Sequence, residues 1–84
     1  ERDYVLTESI YKSKYELKIR SKTFIYGLKC SIENDRINLK GVTKKFWEIS
    51  KEDKYEKKEI DCENQYFEEF DKIAMKYISS IKEV

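Results

Sequence analysis

The 84-residue sequence contains no histidine and no proline, and it has only two glycines, two cysteines and one alanine. Without histidine it lacks the side chain that most often acts as a general base near neutral pH and as a metal ligand. Gly27 and Gly41 stand alone, so the sequence has no glycine-rich loop for binding phosphate. No apolar run approaches the ~20 residues that span a bilayer. These absences argue against an enzyme, a cofactor or metal protein, a protein with a small-molecule substrate, and a membrane protein.

The two cysteines, Cys30 and Cys62, are far apart in the sequence and belong to no CxxC pair. We interpret them as structural thiols in the reduced state, with a Cys30–Cys62 disulfide as the alternative if the compartment is oxidising. A helix N-terminus near Cys62 could lower the pKa of its thiol, but no basic partner supports a reactive role.

The composition favours a folded chain, because 39% of the residues are hydrophobic and 14% are aromatic although 42% are charged. A chain of this length has room for one core, so we predict a single domain over 1–84. Fifteen lysines against three arginines, with ten isoleucines, indicate an AT-rich coding sequence. The lack of a signal-like stretch favours the cytoplasm, while an exported protein or the terminal domain of a longer protein stays open as an alternative.

The charge is divided unevenly along the chain. Residues 1–45 carry eleven basic and six acidic side chains, whereas residues 46–84 carry seven basic and eleven acidic ones. A net charge of +1 therefore hides two halves of opposite sign. Such a division suggests a molecule with two different faces.

Alternation of apolar and polar residues predicts an antiparallel sheet in the first part of the chain. Tyr15, Leu17 and Ile19 alternate with charged residues, which is typical of a strand with one buried face. We predict strands over about 4–11, 13–21, 23–32 and 36–49, with either a fifth strand or an exposed loop over 55–60. Glu33-Asn34-Asp35 favours a tight turn, and Gly41 interrupts or bulges the fourth strand.

A C-terminal amphipathic helix is predicted over about 62–82, with Asp61 or Asn64 as its cap. Apolar residues recur at three- and four-residue spacing along it: Phe67, Phe70, Ile73, Ala74, Tyr77, Ile78 and Ile81. The predicted fold is therefore α+β, a four- or five-stranded antiparallel meander with the helix on one face. We expect Phe70, Ile73 and Tyr77 to be buried against this sheet. Their expected partners are Leu17, Tyr26 and Leu28.

In the second and third predicted strands, several of the residues that alternate with the apolar ones are basic. Alternation places Lys14, Lys18, Arg20 and Lys29 together on the solvent side of the sheet. Such a face could bind nucleic acid or a protein partner, but a sheet that binds nucleic acid usually also exposes aromatic rings for stacking.

The aromatic residues outnumber what a small core readily hides, so some of them should be exposed. Tyr11, Phe46 and Tyr55 lie outside the best apolar stripes, and we interpret them as possible interface aromatics. Trp47 is expected to close the core instead.

Together these features suggest a small non-catalytic protein-interaction or regulatory module, with a protein partner or a second copy as its ligand. Opposite-signed halves and surplus aromatics favour this hypothesis. The alternatives are a nucleic-acid-binding protein that uses the basic sheet face, and an exported or terminal domain of a longer protein.

Overall fold

The computed structural model describes residues 3–81, apart from the side chain of Ile81. The last residue of the predicted helix, Lys82, lies outside the described residues. Within them the chain forms five strands and one helix: β1 (Val5–Tyr11), β2 (Lys14–Arg20), β3 (Phe24–Glu33), β4 (Arg36–Ile49), β5 (Lys57–Ile60) and α1 (Gln65–Ile81).

The five strands form one sheet in the order β1-β2-β3-β4-β5, and each strand is antiparallel to the next. The α+β fold class is confirmed, and the sheet has five strands. The charged segment predicted as a strand or a loop over 55–60 contains both, because β5 begins only at Lys57. Asn64 is the helix cap, since its Oδ1 accepts a hydrogen bond of 2.9 Å from the amide of Phe67.

Two tight turns join neighbouring strands through residues with positive φ. Lys12 and Ser13 have φ values of 48° and 63° between β1 and β2, and Asn34 and Asp35 have 55° and 64° between β3 and β4. Two successive left-handed residues give a type I′ turn, whose twist matches that of antiparallel strands. The predicted turn at Asn34-Asp35 is thus present.

A bulge near Gly41 changes which side of β4 faces the core. Lys29 pairs with Thr43 and Ser31 pairs with Asn38, so β4 advances five residues while β3 advances two. Gly41 adopts a φ of 72° there, in the left-handed region that favours glycine. Odd-numbered residues of β4 face the core before the bulge, and even-numbered residues do so after it.

One face of the sheet, here called the inner face, packs against α1. Nine buried residues form the core between them: Tyr15, Leu17, Ile19, Tyr26, Leu28, Cys30, Phe46, Ala74 and Ile78. The expected sheet partners of the helix are fully buried, but Phe70, Ile73 and Tyr77 are only half-buried at the margin of the contact. Ala74 and Ile78 occupy its centre, because the small side chain of Ala74 lets the helix approach the sheet closely.

The first prediction concerns Ile78, which is 0% exposed. Ile78→Ala should lower the free energy of unfolding by about 2–5 kcal/mol, because it removes buried methyl groups and leaves a cavity under the helix. The matched control is Ile10→Ala, at a site that is 64% exposed, which should change stability by less than about 0.5 kcal/mol. Urea denaturation of both variants gives the comparison, and equal stabilities would contradict the helix placement.

Candidate interaction surfaces

The sheet face opposite α1, here called the outer face, carries the predicted basic residues. Lys14, Lys18, Arg20 and Lys29 are all exposed on it. Arg36 and Lys45 join them from β4 and Lys57 from β5, while Glu16, Glu33 and Glu59 are acidic side chains on the same face. The outer face of the strands therefore carries more basic than acidic side chains and is distinctly positive.

Gly27 lies in the middle of the outer face, between two lysines. Lys18 pairs with it from β2 and Lys45 pairs with it from β4. A methyl group added at Gly27 would lie 3.0 Å from Cζ3 of Trp47, so the indole ring rests on the glycine backbone. The Nζ of Lys57 lies 4.5 Å from the centroid of the Trp47 ring, which gives a cation–π contact.

Two expectations for aromatic residues are wrong, and the bulge near Gly41 explains both. Phe46 was expected to be exposed, yet it is 0% exposed and packs in the core. Trp47 was expected in the core, yet it lies on the outer face over Gly27. In an uninterrupted strand, Trp47 would share the inner face with Ile37 and Leu39, and Phe46 would face outward. The bulge reverses this alternation, so Phe46 faces inward and Trp47 faces outward.

The other two predicted interface aromatics are exposed at separate places. Tyr11 is 71% exposed at the end of β1, where the Nζ of Lys12 lies 5.3 Å from its ring centroid. Tyr55 is 94% exposed in the loop between β4 and β5. The structure therefore does not bring the predicted aromatics into one cluster.

One of the predicted basic residues, Arg20, contacts the loop over 50–56. Nη2 of Arg20 donates a long hydrogen bond of 3.5 Å to the carbonyl oxygen of Lys54. Within the loop, Oγ of Ser50 accepts hydrogen bonds of 3.2 Å from the amides of Glu52 and Asp53. Arg20 thus differs from Lys14, Lys18 and Lys29, for which no such backbone contact is seen within residues 3–81.

The two edges of the sheet differ in length and in chemistry. β5 has four residues, KKEI, and two of them are lysines. β1 has seven residues, VLTESIY, without lysine, arginine or proline. Val5, Ile10 and Tyr11 of β1 are 66%, 64% and 71% exposed. Lysines, shortness and inward-pointing charges protect an edge strand from pairing with another chain. β5 has the first two of these protections, whereas β1 has only the carboxylate of Glu8 on its inner face.

The backbone of β1 has a defined hydrogen-bonding direction. The amide of Ile32 bonds to the carbonyl oxygen of Ser13, and that of Ser21 bonds to the carbonyl oxygen of Phe24, so odd-numbered residues of β2 bond to β3. Bonding sides alternate along a strand, so even-numbered residues of β2 bond to β1, whose odd-numbered residues are their partners. Leu6 and Ile10 consequently direct their amides and carbonyls to the open side of β1.

The sequence carries a signal for this edge in the distribution of its lysines. In a chain with fifteen lysines, none occurs before Lys12. A lysine-free apolar segment in a lysine-rich chain indicates a strand without the usual protection against pairing. The signal became clear only once the topology placed β1 at the edge of the sheet.

Polar contacts on the inner face tie β1 and α1 to the central strands. The hydroxyl of Tyr15 donates a 2.7 Å hydrogen bond to Oε2 of Glu8. The hydroxyl of Tyr26 donates a 2.6 Å hydrogen bond to Oδ1 of Asp71, which also forms a 2.9 Å ion pair with Nζ of Lys44. Asp71 therefore joins the helix to both β3 and β4.

These contacts shift the pKa values of the tyrosines involved. Burial, with a smaller contribution from the bond to Glu8, raises the pKa of Tyr15 well above its ordinary value. Burial, followed by the bond to Asp71, raises the pKa of Tyr26 in the same way. A hydrogen bond to Glu8 is the main cause that raises the pKa of Tyr77.

The cysteines are free thiols and show no sign of activation. Burial raises the pKa of Cys30. Burial is also the main cause that raises the pKa of Cys62, and the carboxylates of Asp61 and Glu59 add to it. The possibility that a helix N-terminus lowers the pKa of Cys62 is thus contradicted, because α1 begins only at Gln65 and burial raises this pKa.

The described residues form neither a metal site nor a membrane-spanning helix. Residues 3–81 hold no group of three or more cysteine, aspartate or glutamate side chains placed to bind a metal ion. Over the same residues, α1 is too polar and too short to cross a membrane. In comparisons with known proteins, the chain matches no family model, no curated protein and no solved structure.

The second prediction concerns alkaline pH. The folded-state pKa of Tyr15 and of Tyr26 lies above the ordinary value of 10.0, so above that pH the folded chain keeps protons that the unfolded chain loses. The free energy of unfolding should therefore fall as pH rises beyond about 10, by about 1.4 kcal/mol per pH unit for each tyrosine.

Urea denaturation at a series of alkaline pH values measures this slope. Tyr15→Phe and Tyr26→Phe should each reduce this slope by the contribution of one proton, about 1.4 kcal/mol per pH unit. The matched control is Tyr55→Phe, at an exposed site, which should leave the slope unchanged. A slope that neither core variant changes would show that these two hydroxyls do not govern alkaline unfolding.

Proposed function

We propose that this chain is a small non-catalytic interaction module that binds a protein partner by accepting an extra strand at the edge of β1. The observation that carries the proposal is the contrast between the two sheet edges. β5 is short and lysine-bearing, whereas β1 is longer, free of lysine and exposes Val5, Ile10 and Tyr11. A natural sheet normally protects both edges, so an edge left open and apolar favours a pairing role.

Strand addition fits the chemistry of β1 on both sides of the backbone. The amides and carbonyls of Leu6 and Ile10 are directed at an incoming strand, and each net hydrogen bond contributes about 0.5–1.5 kcal/mol. Val5 and Tyr11 lie on the outer face, while Ile10 lies on the inner face beyond the helix. An added strand with apolar residues on both faces would cover all three side chains.

Two observations support a role without catalysis. The sequence has no histidine, so a base that titrates near neutral pH is missing from its side chains. The tyrosine and cysteine groups with shifted pKa values have them raised by burial or by neighbouring carboxylates, which keeps them protonated at neutral pH. Binding therefore accounts for these features better than acid–base or nucleophilic chemistry does.

The third prediction tests strand addition with a displayed library of short extended peptides as the probe. Peptides selected for binding should slow hydrogen exchange at the amides of Leu6 and Ile10, because a bound strand would accept hydrogen bonds from them. Ile10→Pro should weaken peptide binding at least about tenfold, since it removes a donor on the open side of β1.

Two controls separate the backbone from the side chain and β1 from β5. Ile10→Ala keeps the amide and should lose less affinity than Ile10→Pro. Glu59→Pro removes an amide on the open side of β5, at the opposite edge, and should leave binding unchanged. Selected peptides that protect amides of β5 or α1 instead of β1 would refute strand addition at this edge.

The positive outer face supports a second candidate function, the binding of a nucleic acid. Its basic side chains outnumber its acidic ones, and α1 packs on the opposite face. Against this candidate, the indole of Trp47 rests on Gly27 and has Lys57 over its ring, so it offers little surface to a base. We therefore favour strand addition over nucleic-acid binding.

The fourth prediction is that the outer face binds single-stranded RNA and DNA without selectivity. Lys14, Lys18, Arg20 and Lys29 are changed together to glutamine, and the matched control changes four exposed lysines elsewhere: Lys51, Lys58, Lys72 and Lys76. Both variants should lose a similar part of a weak, salt-sensitive affinity, because each phosphate contact contributes about 0.7–0.9 to the slope of log affinity against log salt.

Fluorescence anisotropy over a range of salt concentrations makes this measurement. A micromolar or tighter complex that is selective for sequence or structure, and that only the outer-face variant abolishes, would replace strand addition with nucleic-acid binding as the preferred function.

A further inference from the structure

We infer that the strand added at β1 is β1 of a second copy of this chain, antiparallel to the first, with Glu8 of each copy meeting at a two-fold axis. This inference rests on the proposed function, since it names the partner of the same edge. Two features of β1 support this inference: the side on which its backbone groups are open, and the side-chain pairs that two antiparallel copies of β1 would form.

The bonding direction limits the registers in which two β1 strands can pair. Even-numbered residues turn their backbone groups to the open side, and residues opposite each other in an antiparallel ladder must share the same bonding side. Even-numbered residues of one copy therefore lie opposite even-numbered residues of the other. The three registers with the greatest overlap place Thr7, Glu8 or Ser9 on the axis, and only the one centred on Glu8 pairs all seven residues of Val5–Tyr11.

The register centred on Glu8 also matches the side chains. It places Val5 opposite Tyr11 on the outer face and Leu6 opposite Ile10 on the inner face, with Thr7 opposite Ser9. Each exposed apolar side chain of β1 then meets an apolar side chain of the other copy, and such cross-strand pairs contribute about 0.2–1 kcal/mol each.

The neighbouring registers match poorly. A two-fold axis at Thr7 sets Leu6 opposite Glu8, and an axis at Ser9 sets Glu8 opposite Ile10. Both put a carboxylate against an apolar side chain and leave residues at one end of each strand without a partner. Apolar matching therefore favours the axis at Glu8.

The axis at Glu8 carries one unfavourable contact, because two carboxylates lie opposite each other. Tyr15 reduces this cost, since its hydroxyl bonds Oε2 of Glu8 at 2.7 Å and draws the carboxylate toward its own β2. Tyr77 of α1 contacts the same carboxylate. Glu8 is therefore the residue at which a substitution tests the axis.

The dimer is a continuous ten-stranded sheet with both helices on one face, because a two-fold axis perpendicular to the sheet keeps the inner faces on the same side. Its interface consists of two seven-residue strands and falls below the ~1,200 Å² of stable complexes. Association is accordingly weak, reversible and dependent on protein concentration.

The fifth prediction concerns disulfide cross-linking of cysteine variants along β1, which shows which residue lies on the two-fold axis. Thr7→Cys, Glu8→Cys and Ser9→Cys are oxidised mildly, with the unchanged protein as the baseline for Cys30 and Cys62. Only Glu8→Cys should form a covalent dimer in high yield, because only a residue on the axis meets its own copy. A hydrogen-bonded antiparallel pair has a Cα separation of about 5.5 Å, within the range for a disulfide.

A second measurement does not depend on cysteine. Glu8→Gln keeps an acceptor for Tyr15 and replaces two like charges at the axis by neutral side chains, so sedimentation equilibrium should show dimerisation at least as tight as in the unchanged protein. The matched control is Glu16→Gln on the outer face of β2, which removes one charge away from the axis and should change the dimerisation constant by less than about twofold.

The possible outcomes separate a wrong partner from a wrong proposed function. A covalent dimer through Thr7→Cys or Ser9→Cys, but not Glu8→Cys, overturns the axis at Glu8. A protein that stays monomeric at millimolar concentration and is not cross-linked, while displayed peptides still protect Leu6 and Ile10, overturns the second copy and leaves strand addition in place. If peptides also fail to protect β1, both the partner and the proposed function are wrong.

Discussion

The helix α1 packs on a sheet that is wider than itself. A helix with its side chains is about 10 Å across, whereas five strands spaced about 4.8 Å apart span about 19 Å. The helix lies closest to β2 and β3, where the fully buried side chains of both strands are found. The edge strands extend beyond its cover, and this limit explains why Ile10 is exposed although it faces the same side as the core.

Because one helix covers only part of the sheet, the uncovered surfaces differ in their chemistry. The outer face carries more basic than acidic side chains, and Trp47 packs against Gly27, where a side chain is absent. The edge at β5 is short and charged, while the edge at β1 keeps its apolar side chains exposed. Among the strands of residues 3–81, only β1 combines open backbone groups with apolar side chains on both faces. The features that support binding therefore follow from what a single helix leaves uncovered.

Local patterns predicted the elements well, because alternation in β2 and β3 and the apolar stripe of α1 depend only on neighbouring residues. The same reasoning failed at Phe46 and Trp47. A glycine within a strand signals a bulge, but the number of residues that the bulge absorbs depends on pairing with β3, which the sequence does not display. The open edge at β1 was not predicted for a related reason. Edge position is a property of the whole sheet, and no residue in Val5–Tyr11 reports it by itself.

The strand order described above also has a kinetic meaning. Every strand pairs with its neighbour in sequence, so each addition to the sheet closes a short loop and costs little chain entropy. Hairpins form within about 1–10 μs, and topologies rich in such local pairings fold faster than those with distant strand partners. The helix α1 is the last element in chain order, and it covers an apolar sheet face. A chain in which α1 is undocked would therefore expose that face and be prone to pair with other chains.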